Sequence, residues 1–367
     1  MATLSIFDLF KKMDGKEISD IHLQVGSVPM FRIKGDIEQI EGMSALTLKD
    51  MEDILKQVLK EEDIKRFESK GSVDMSLGIS GKGRFRINVF KQRGSISFAA
   101  RLLNTVIPDF ETLHLPPAVS RVTEYMEGLV LITGATGAGK SSTTAAIINY
   151  INQKRKCHIL CIEDPIEYLY KNEKALINQR EVGIDVSSFK DALRSAVRED
   201  PDVILVGEMR DLETVEFGLR AAETGHLVFG TLHSADATQT IERLLGFYPE
   251  ERHRQIRKGL SLHLKAVISQ MLLPSCKEGL TFVPATEIMF VNDIISRLIV
   301  EGADTKVAKS IIAGKLDGMQ DFETSLSELV KSKMIDQKIA LRYADNPDSL
   351  DRKLRGIFLE EDNAILS

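Results

Sequence analysis

The stretch Gly134-Ala135-Thr136-Gly137-Ala138-Gly139-Lys140-Ser141-Ser142 has the spacing G-x-x-x-x-G-K-S, the P-loop pattern. Glycines at these positions let the backbone wrap so that successive N–H groups converge on phosphate oxygens. A helix opening near Lys140 adds its positive N-terminal end. Lys140 is expected to reach the β- and γ-phosphates, and the Ser141 hydroxyl to ligate Mg²⁺. A plain glycine turn is the competing explanation, and the flanks argue against it. Leu129–Thr133 is an apolar run of strand type, and Thr143–Ile151 has helical character. The expectation is a nucleotide site.

Two acidic stretches follow. Glu163-Asp164-Pro165-Ile166-Glu167 comes directly after the apolar run His158–Ile162, and Gly207-Glu208-Met209-Arg210-Asp211 after Val203–Val206. An apolar strand ending in an acid downstream of a P-loop is the Walker B position. A glutamate there suits orienting or deprotonating water better than ligating Mg²⁺ alone, so Glu208 is the expected catalytic carboxylate. Gly207 is expected to let the backbone approach the ligand. Glu163 and Asp164 are expected to hold a metal-bound water or the attacking water. His226 and His233 bracket the run Leu227–Leu232. His233 stands at the end where Glu208 lies and is the better candidate for sensing a γ-phosphate, while His226 opens the strand. Neither has the spacing or partners of a common zinc site.

These side chains can meet only if the strands that carry them end along one edge. From residue 128 onward, after a helix expected over 118–126, strand-like and helix-like segments alternate, which predicts a mostly parallel sheet covered on both faces. The helices are expected at 118–126, 141–152, 188–198, 212–224 and 237–245, with Gly225 as the residue that ends the fourth. In such sheets ligands sit at the carboxyl ends of the strands. Residues 248–345 read as mostly helical, with one strand over Thr281–Ile288.

Residues 1–103 read as a separate mixed α/β module. Phe7, Leu9 and Phe10 suggest a short first helix stopped near Gly15, and two alternating runs then make a hairpin. Thr47 is a plausible N-cap, with Asp50 three residues on. Met51, Ile54, Leu55, Val58 and Leu59 share one face of the helix that follows. Strands return from Val73 to Leu103, turning at Gly81–Gly83 and Gly94. They carry Arg84, Arg86, Arg93 and Arg101, with Arg84 and Arg86 on one face. That face is either simply solvated or is presented to phosphate, which guanidinium forks suit. Residues 104–117, with Pro108, Pro116 and Pro117, read as a stiff hinge linker. Residues 118–345 make the nucleotide-binding domain and 346–367 a mobile tail ending in Glu360-Glu361-Asp362.

At 367 residues and 43% hydrophobic, the chain can build two cores. No apolar run reaches the length of about 18 residues that a membrane-spanning helix needs. The N-terminus lacks the order of a signal peptide, so the expected location is the cytoplasm. Cys157, Cys161 and Cys276 form no disulfide framework or zinc site. A net charge of −6 without a basic block argues against nucleic acid as the main partner.

With those residues in view, the chain resembles the type IV pilus retraction ATPases, the PilT/PilU branch of the secretion ATPase superfamily. The resemblance covers nearly the whole chain and rests on boxes in a fixed order. Gly134–Ser142 is similar to its Walker A motif and Ile162–Tyr168 to its Asp box. Arg198–Asp211 is similar to its atypical Walker B, and Thr224–His233 to its His box. Ser19-Asp20-Ile21-His22-Leu23 resembles the start of its N-terminal PAS-like domain.

The resemblance implies a PAS-like α/β domain followed by a RecA-like P-loop ATPase domain with a helical C-terminal extension. It implies ATP and Mg²⁺ as cofactors, catalytic roles for Glu163 and Glu208, and N-terminal arginines that close on the phosphates, here Arg86 and Arg101, with Arg84 and Arg93 in reserve. It also implies a homohexamer at the cytoplasmic face of the inner membrane, bound to the membrane only through partners. Those partners would be a pilus platform protein and a second retraction ATPase. Ile294–Glu301 departs from the PilT-type motif A-I-R-N-L-I-R-E, with Ser296 and Val300 in place of its arginines, and leans toward the PilU type. The absence of C-x-x-C departs from the assembly and secretion ATPases. An accessory subunit dependent on a PilT-type partner is the alternative, and a RecA-like nucleic-acid translocase is a third reading.

Overall fold

The computed structural model describes residues 5–13, 18–33, 36–79, 83–103 and 106–357. Within these the chain divides into two compact units. One is Met1–Val106 with Glu167–Leu169, and the other is Ile107–Ile166 with Tyr170–Ser367. The expected turns at Gly15 and Gly81, the start of the linker at Asn104 and the acidic end at Glu360–Asp362 lie outside the described residues.

The first unit is built from α1 (Ile6–Lys11), β1 (Ile18–Gln24), β2 (Met30–Ile33), β3 (Asp36–Gln39), α2 (Leu48–Val58), α3 (Glu61–Lys70), β4 (Ser72–Ile79), β5 (Gly83–Gln92) and β6 (Ser95–Leu102). Its strands form one antiparallel sheet in the order β3-β2-β1-β6-β5-β4. Alternation sorts the faces. Phe85, Ile87 and Val89 of β5 point inward with Phe98 and Ala100 of β6, into a core that also holds Leu9, Phe10, Met51 and Ile54. Thr47 caps α2 by accepting from the Asp50 backbone N–H, and the Asp50 carboxylate accepts from the Thr47 N–H at 2.8 Å, a complete capping box. The outward face carries a line of charge, because the strand register sets Arg32, Asp20, Arg101 and Arg86 opposite one another across four strands.

The second unit opens with a 3₁₀ turn at Pro117–Thr123, where an α-helix is expected over 118–126. Then come β7 (Gly128–Thr133), α4 (Lys140–Lys154), β8 (His158–Glu163), β9 (Leu176–Glu181), α5 (Phe189–Ala196), β10 (Val203–Val206), α6 (Leu212–Glu223), β11 (Leu227–Leu232) and α7 (Ala237–Gly246). After these follow α8 (His253–His263), β12 (Leu264–Pro274), β13 (Phe282–Phe290), α9 (Asp293–Glu301), α10 (Val307–Ala313), α11 (Phe322–Lys331), α12 (Gln337–Tyr343) and α13 (Pro347–Leu354). The sheet runs β13-β12-β7-β11-β10-β8-β9, parallel throughout except for β13. β7, β10 and β11 are buried at every residue, as strands covered on both faces must be.

Three expectations are corrected here. The stretch 250–273 is not one helical region, because α8 stops at His263 and Leu264–Pro274 becomes a strand. A largely apolar run such as Val267–Leu273, broken only by Ser269 and Gln270, carries no distinct period, and backbone pairing to β7 on one side and β13 on the other decides it. Residues from Ile107 do not form a bare linker. Leu115 is buried in the core of the second unit, and Phe110 stands against Tyr150 with ring centroids 5.5 Å apart. Residues 347–354 are not a mobile tail. They form α13, whose Leu350 is fully buried with Leu326 and Ile335.

Glu287 of β13 is buried, and its carboxylate accepts from the Ala237 N–H at 2.7 Å, at the start of α7. Burial, with Asp236, Asp321 and Asp345 nearby, pushes its carboxyl up to about 7 against the one opposing N–H. A raised carboxyl favours the native state while protonated, so that contribution is complete below the ordinary carboxylate range and is lost as pH rises through about 7. Glu287→Gln keeps an acceptor for the N–H and removes the titration. Its melting temperature is expected to gain on the wild type between pH 5 and pH 8, by the equivalent of about 2–3 kcal/mol. A pH-independent difference would refute this account.

Candidate functional site

The loop between β7 and α4 needs glycine where it turns. Gly134, Gly137 and Gly139 have φ values of +144°, +80° and +84°. At Gly134 space as well as torsion excludes a side chain, because a Cβ would lie 2.3 Å from the Gln270 carbonyl oxygen of β12. Ala135, Thr136 and Gly137 are exposed at the crest, Ala138 is buried, and Gly139 to Ser142 are half-buried at the mouth of α4. Lys140 Nζ donates to the Gly134 carbonyl at 2.8 Å and the Ala135 carbonyl at 2.9 Å, which folds the side chain back over the loop. An anionic phosphate oxygen is a stronger acceptor than either neutral carbonyl. Gln270 Nε2 donates to the Ala138 carbonyl at 2.5 Å from behind the loop.

The carboxyl ends of the neighbouring parallel strands lie along the same edge. Glu163 ends β8 and accepts from Gln179 Nε2 of β9 at 3.0 Å. Glu208 follows β10 by two residues, and its Oε1 is 3.3 Å from His233 Nε2, just beyond β11. The backbone that carries Glu208 is tied down on both sides. The Thr231 hydroxyl donates to the Gly207 carbonyl at 2.5 Å, and the Met209 N–H donates to the Thr231 carbonyl at 2.9 Å. Met209 then fills the space over Gly218 and Gly230, where a Cβ would meet its Cε at 2.5 Å.

Beyond the expected backbone approach to a ligand, Gly207 has a packing role between strands. A Cβ there would crowd the Ile162 carbonyl at 3.1 Å and Glu163 Cα at 3.2 Å, so the glycine lets β10 approach β8 and brings Glu208 toward Glu163. Arg210 pairs with Asp164 at 2.5 Å and bridges the two acidic segments.

His226 does not join this group. It precedes β11, with Nδ1 3.0 Å from the Ala221 carbonyl, so it lies a whole strand of about 20 Å from the loop edge. In the first unit Arg86 and Arg101 are direct cross-strand neighbours. Arg101 Nε donates to Asp20 Oδ1 at 2.7 Å, while the arginine side chain is 68% exposed. Arg84 lies two residues along β5 on the same face. Arg93 lies instead in the β5–β6 turn, with φ +50° beside Gly94. Sequence reasoning passed over Met209 and Gln270. The available signal for Gln270 was a polar pair, Ser269 and Gln270, inside a largely apolar run.

The oxygen donors Ser141, Glu163 and Glu208 are the hard ligands that Mg²⁺ takes. Among the described residues no group of three or more His, Cys, Asp or Glu side chains forms a metal cluster. Burial raises the Cys161 thiol well above its usual value, as befits a small hydrophobe of the core.

Comparison with known proteins gives the chain a family. Residues 15–340 match the family model for type II/IV secretion system proteins. The chain is 41% identical to the type IV pilus retraction ATPase PilT of Pseudomonas aeruginosa, over 90% of this chain and 95% of that one. It is 34% identical to the type IV pilus ATPase PilU of the same organism, over 93% of this chain and 89% of that one. A crystal structure of the pilus retraction motor PilT with bound ADP superposes with a TM-score of 0.88 at 44% identity, covering 95% of this chain and 99% of that one.

Gly134→Ala places a methyl group against the Gln270 carbonyl at a torsion that disfavours it. Calorimetric titration with ADP is expected to show affinity reduced at least tenfold, and wild-type affinity would contradict the packing described here.

Proposed function

The chain belongs to the type II/IV secretion system protein family, in its PilT/PilU branch, and from that premise we propose that it is a motor that hydrolyses ATP to retract type IV pili. One observation carries the reading. The P-loop, Glu163, Glu208 and His233 gather at one edge of a parallel sheet, in a chain 41% identical to a retraction ATPase over 90% of its length. ATP would lie with its phosphates on Gly134–Ser142, and Lys140 would exchange its two carbonyl acceptors for phosphate oxygens. Ser141 would hold Mg²⁺, which supplies charge neutralisation when bound.

In the proposed hydrolysis the oxygen of a water attacks the γ-phosphorus and its proton passes to the Glu208 carboxylate. The bond from the γ-phosphorus to the bridging oxygen breaks, and ADP leaves with that oxygen. His233 holds the Glu208 carboxylate in place, and Glu163 orders the water. Arg86 and Arg101 would donate to the phosphates when the N-terminal unit closes on the nucleotide. Loss of the γ-phosphate would release them, so hydrolysis drives domain motion through contacts that differ between two states. The assembly proposed is a homohexamer at the cytoplasmic face of the inner membrane, acting on a pilus platform protein.

Dependence on a PilT-type partner is the second reading, and α9 carries it. Ser296 turns inward and donates to the Ser261 carbonyl at 2.9 Å, while Val300 is exposed.

Glu208→Gln is expected to lower ATP turnover by about 10²–10⁴ while ATP binding persists. Turnover at the wild-type rate would remove Glu208 from the mechanism. Arg101→Ala is expected to lower turnover with the fold intact, and an unchanged rate would leave that arginine as surface charge. ATPase activity of the purified chain alone, measured with and without a PilT-type partner, separates the independent motor from the dependent subunit. Deletion of the gene with retraction scored tests the motor reading itself.

A further inference from the structure

We propose that Gln270 is a positioning residue for the phosphate cradle, which aims the Gly139 N–H into the site by holding the Ala138 carbonyl outward. The inference rests on the reading of Gly134–Ser142 as the nucleotide site. Gln270 follows Ser269, the last residue of β12 paired to β7, where the Ser269 hydroxyl accepts from Thr133 Oγ1 at 2.9 Å. From that anchored point it touches both ends of the loop. Its backbone carbonyl lies where Gly134 comes closest, and its side-chain Nε2 reaches the Ala138 carbonyl at 2.5 Å. The same Nε2 would be 3.1 Å from a Cβ on Gly139.

The consequence follows from the planar peptide. Carbonyl and N–H of one trans peptide unit point in opposite directions. Drawing the Ala138 carbonyl toward β12 therefore turns the Gly139 N–H away from β12, toward the side where phosphate oxygens would sit. The neighbouring Ala138 N–H is spent inside the loop, on the Ala135 carbonyl at 3.1 Å. Gly139 also caps α4, so its orientation sets the first donor at the positive end of that helix. Gln270 is only 2% exposed, and its Oε1 is buried without a hydrogen-bond partner among the described residues. A buried amide left half satisfied is a cost, and the bond to the Ala138 carbonyl is what the side chain makes in return.

The test uses the full chain with Gln270→Met, which keeps length and loses the donor, and Gln270→Asn, which keeps the amide but cannot reach. Melting temperature without nucleotide, ADP affinity by calorimetry and inhibition of turnover by adenosine are measured for each. The proposal expects ADP affinity lowered at least tenfold, with adenosine inhibition and melting temperature near wild type, because adenosine carries no phosphate for the cradle to hold. Equal losses for ADP and adenosine, unchanged ADP affinity, or failure of both variants to fold would each overturn it. Binding of ADP by the wild type is the control. Its absence would defeat the nucleotide reading, whereas binding by wild type and variants alike defeats only the role of Gln270.

Discussion

The site depends first on the backbone pairing of β7 to β11 on one side and to β12 on the other. That pairing leaves β7 fully buried, so its only exit is the tight turn at Gly134, and the turn can be tight only because no Cβ intrudes on β12. Phosphate recognition by backbone N–H groups needs those groups held in advance, since a loop ordered only on binding loses affinity to that ordering. A strand clamped on both edges supplies the rigidity, and α4 supplies the donors.

The candidate catalytic side chains are gathered by the same sheet. Parallel strands bring every carboxyl end to one edge, so residues far apart in sequence fall side by side. Close strand approach then depends on small residues. Gly207 lets β10 move against β8, and Gly218 with Gly230 makes the space that Met209 fills. Met209 thereby fixes a backbone whose preceding residue, Glu208, stays half-exposed with its Oε1 3.3 Å from His233 Nε2. A rigid backbone under a hydrated carboxylate is what positioning water requires.

Charge in the first unit is arranged by register. Asp20 is buried under the arginines that flank it, with Arg101 bound at 2.7 Å through Nε and Arg32 at 3.7 Å. Binding through Nε leaves the Nη nitrogens of Arg101 free of that contact, and these are the nitrogens that form a fork toward phosphate. On this outward face one buried carboxylate holds the Nε edge of a largely exposed guanidinium.

The sequence by itself determined the elements whose signals are local. The P-loop spacing, the capping box at Thr47 and Asp50, the apolar strands β7, β10 and β11 and the amphipathic α2 each depend on residues a few positions apart. Glu163, Glu208 and His233 stood out as candidates because each lies at or within two residues of the end of an apolar strand. Tertiary structure alone decided whatever rests on pairing between distant segments. Leu264–Pro274 is a strand because β7 and β13 lie beside it, and Pro347–Leu354 is a helix with Leu350 buried against residues from α11 and the turn after it. His226 belongs to the far edge because strand direction places it there. Gln270 reads as one more residue of a largely apolar run until β12 sets it behind the loop. Local sequence carries helical period, caps and turns, whereas burial and register are set by the partner strand, which can lie more than a hundred residues away.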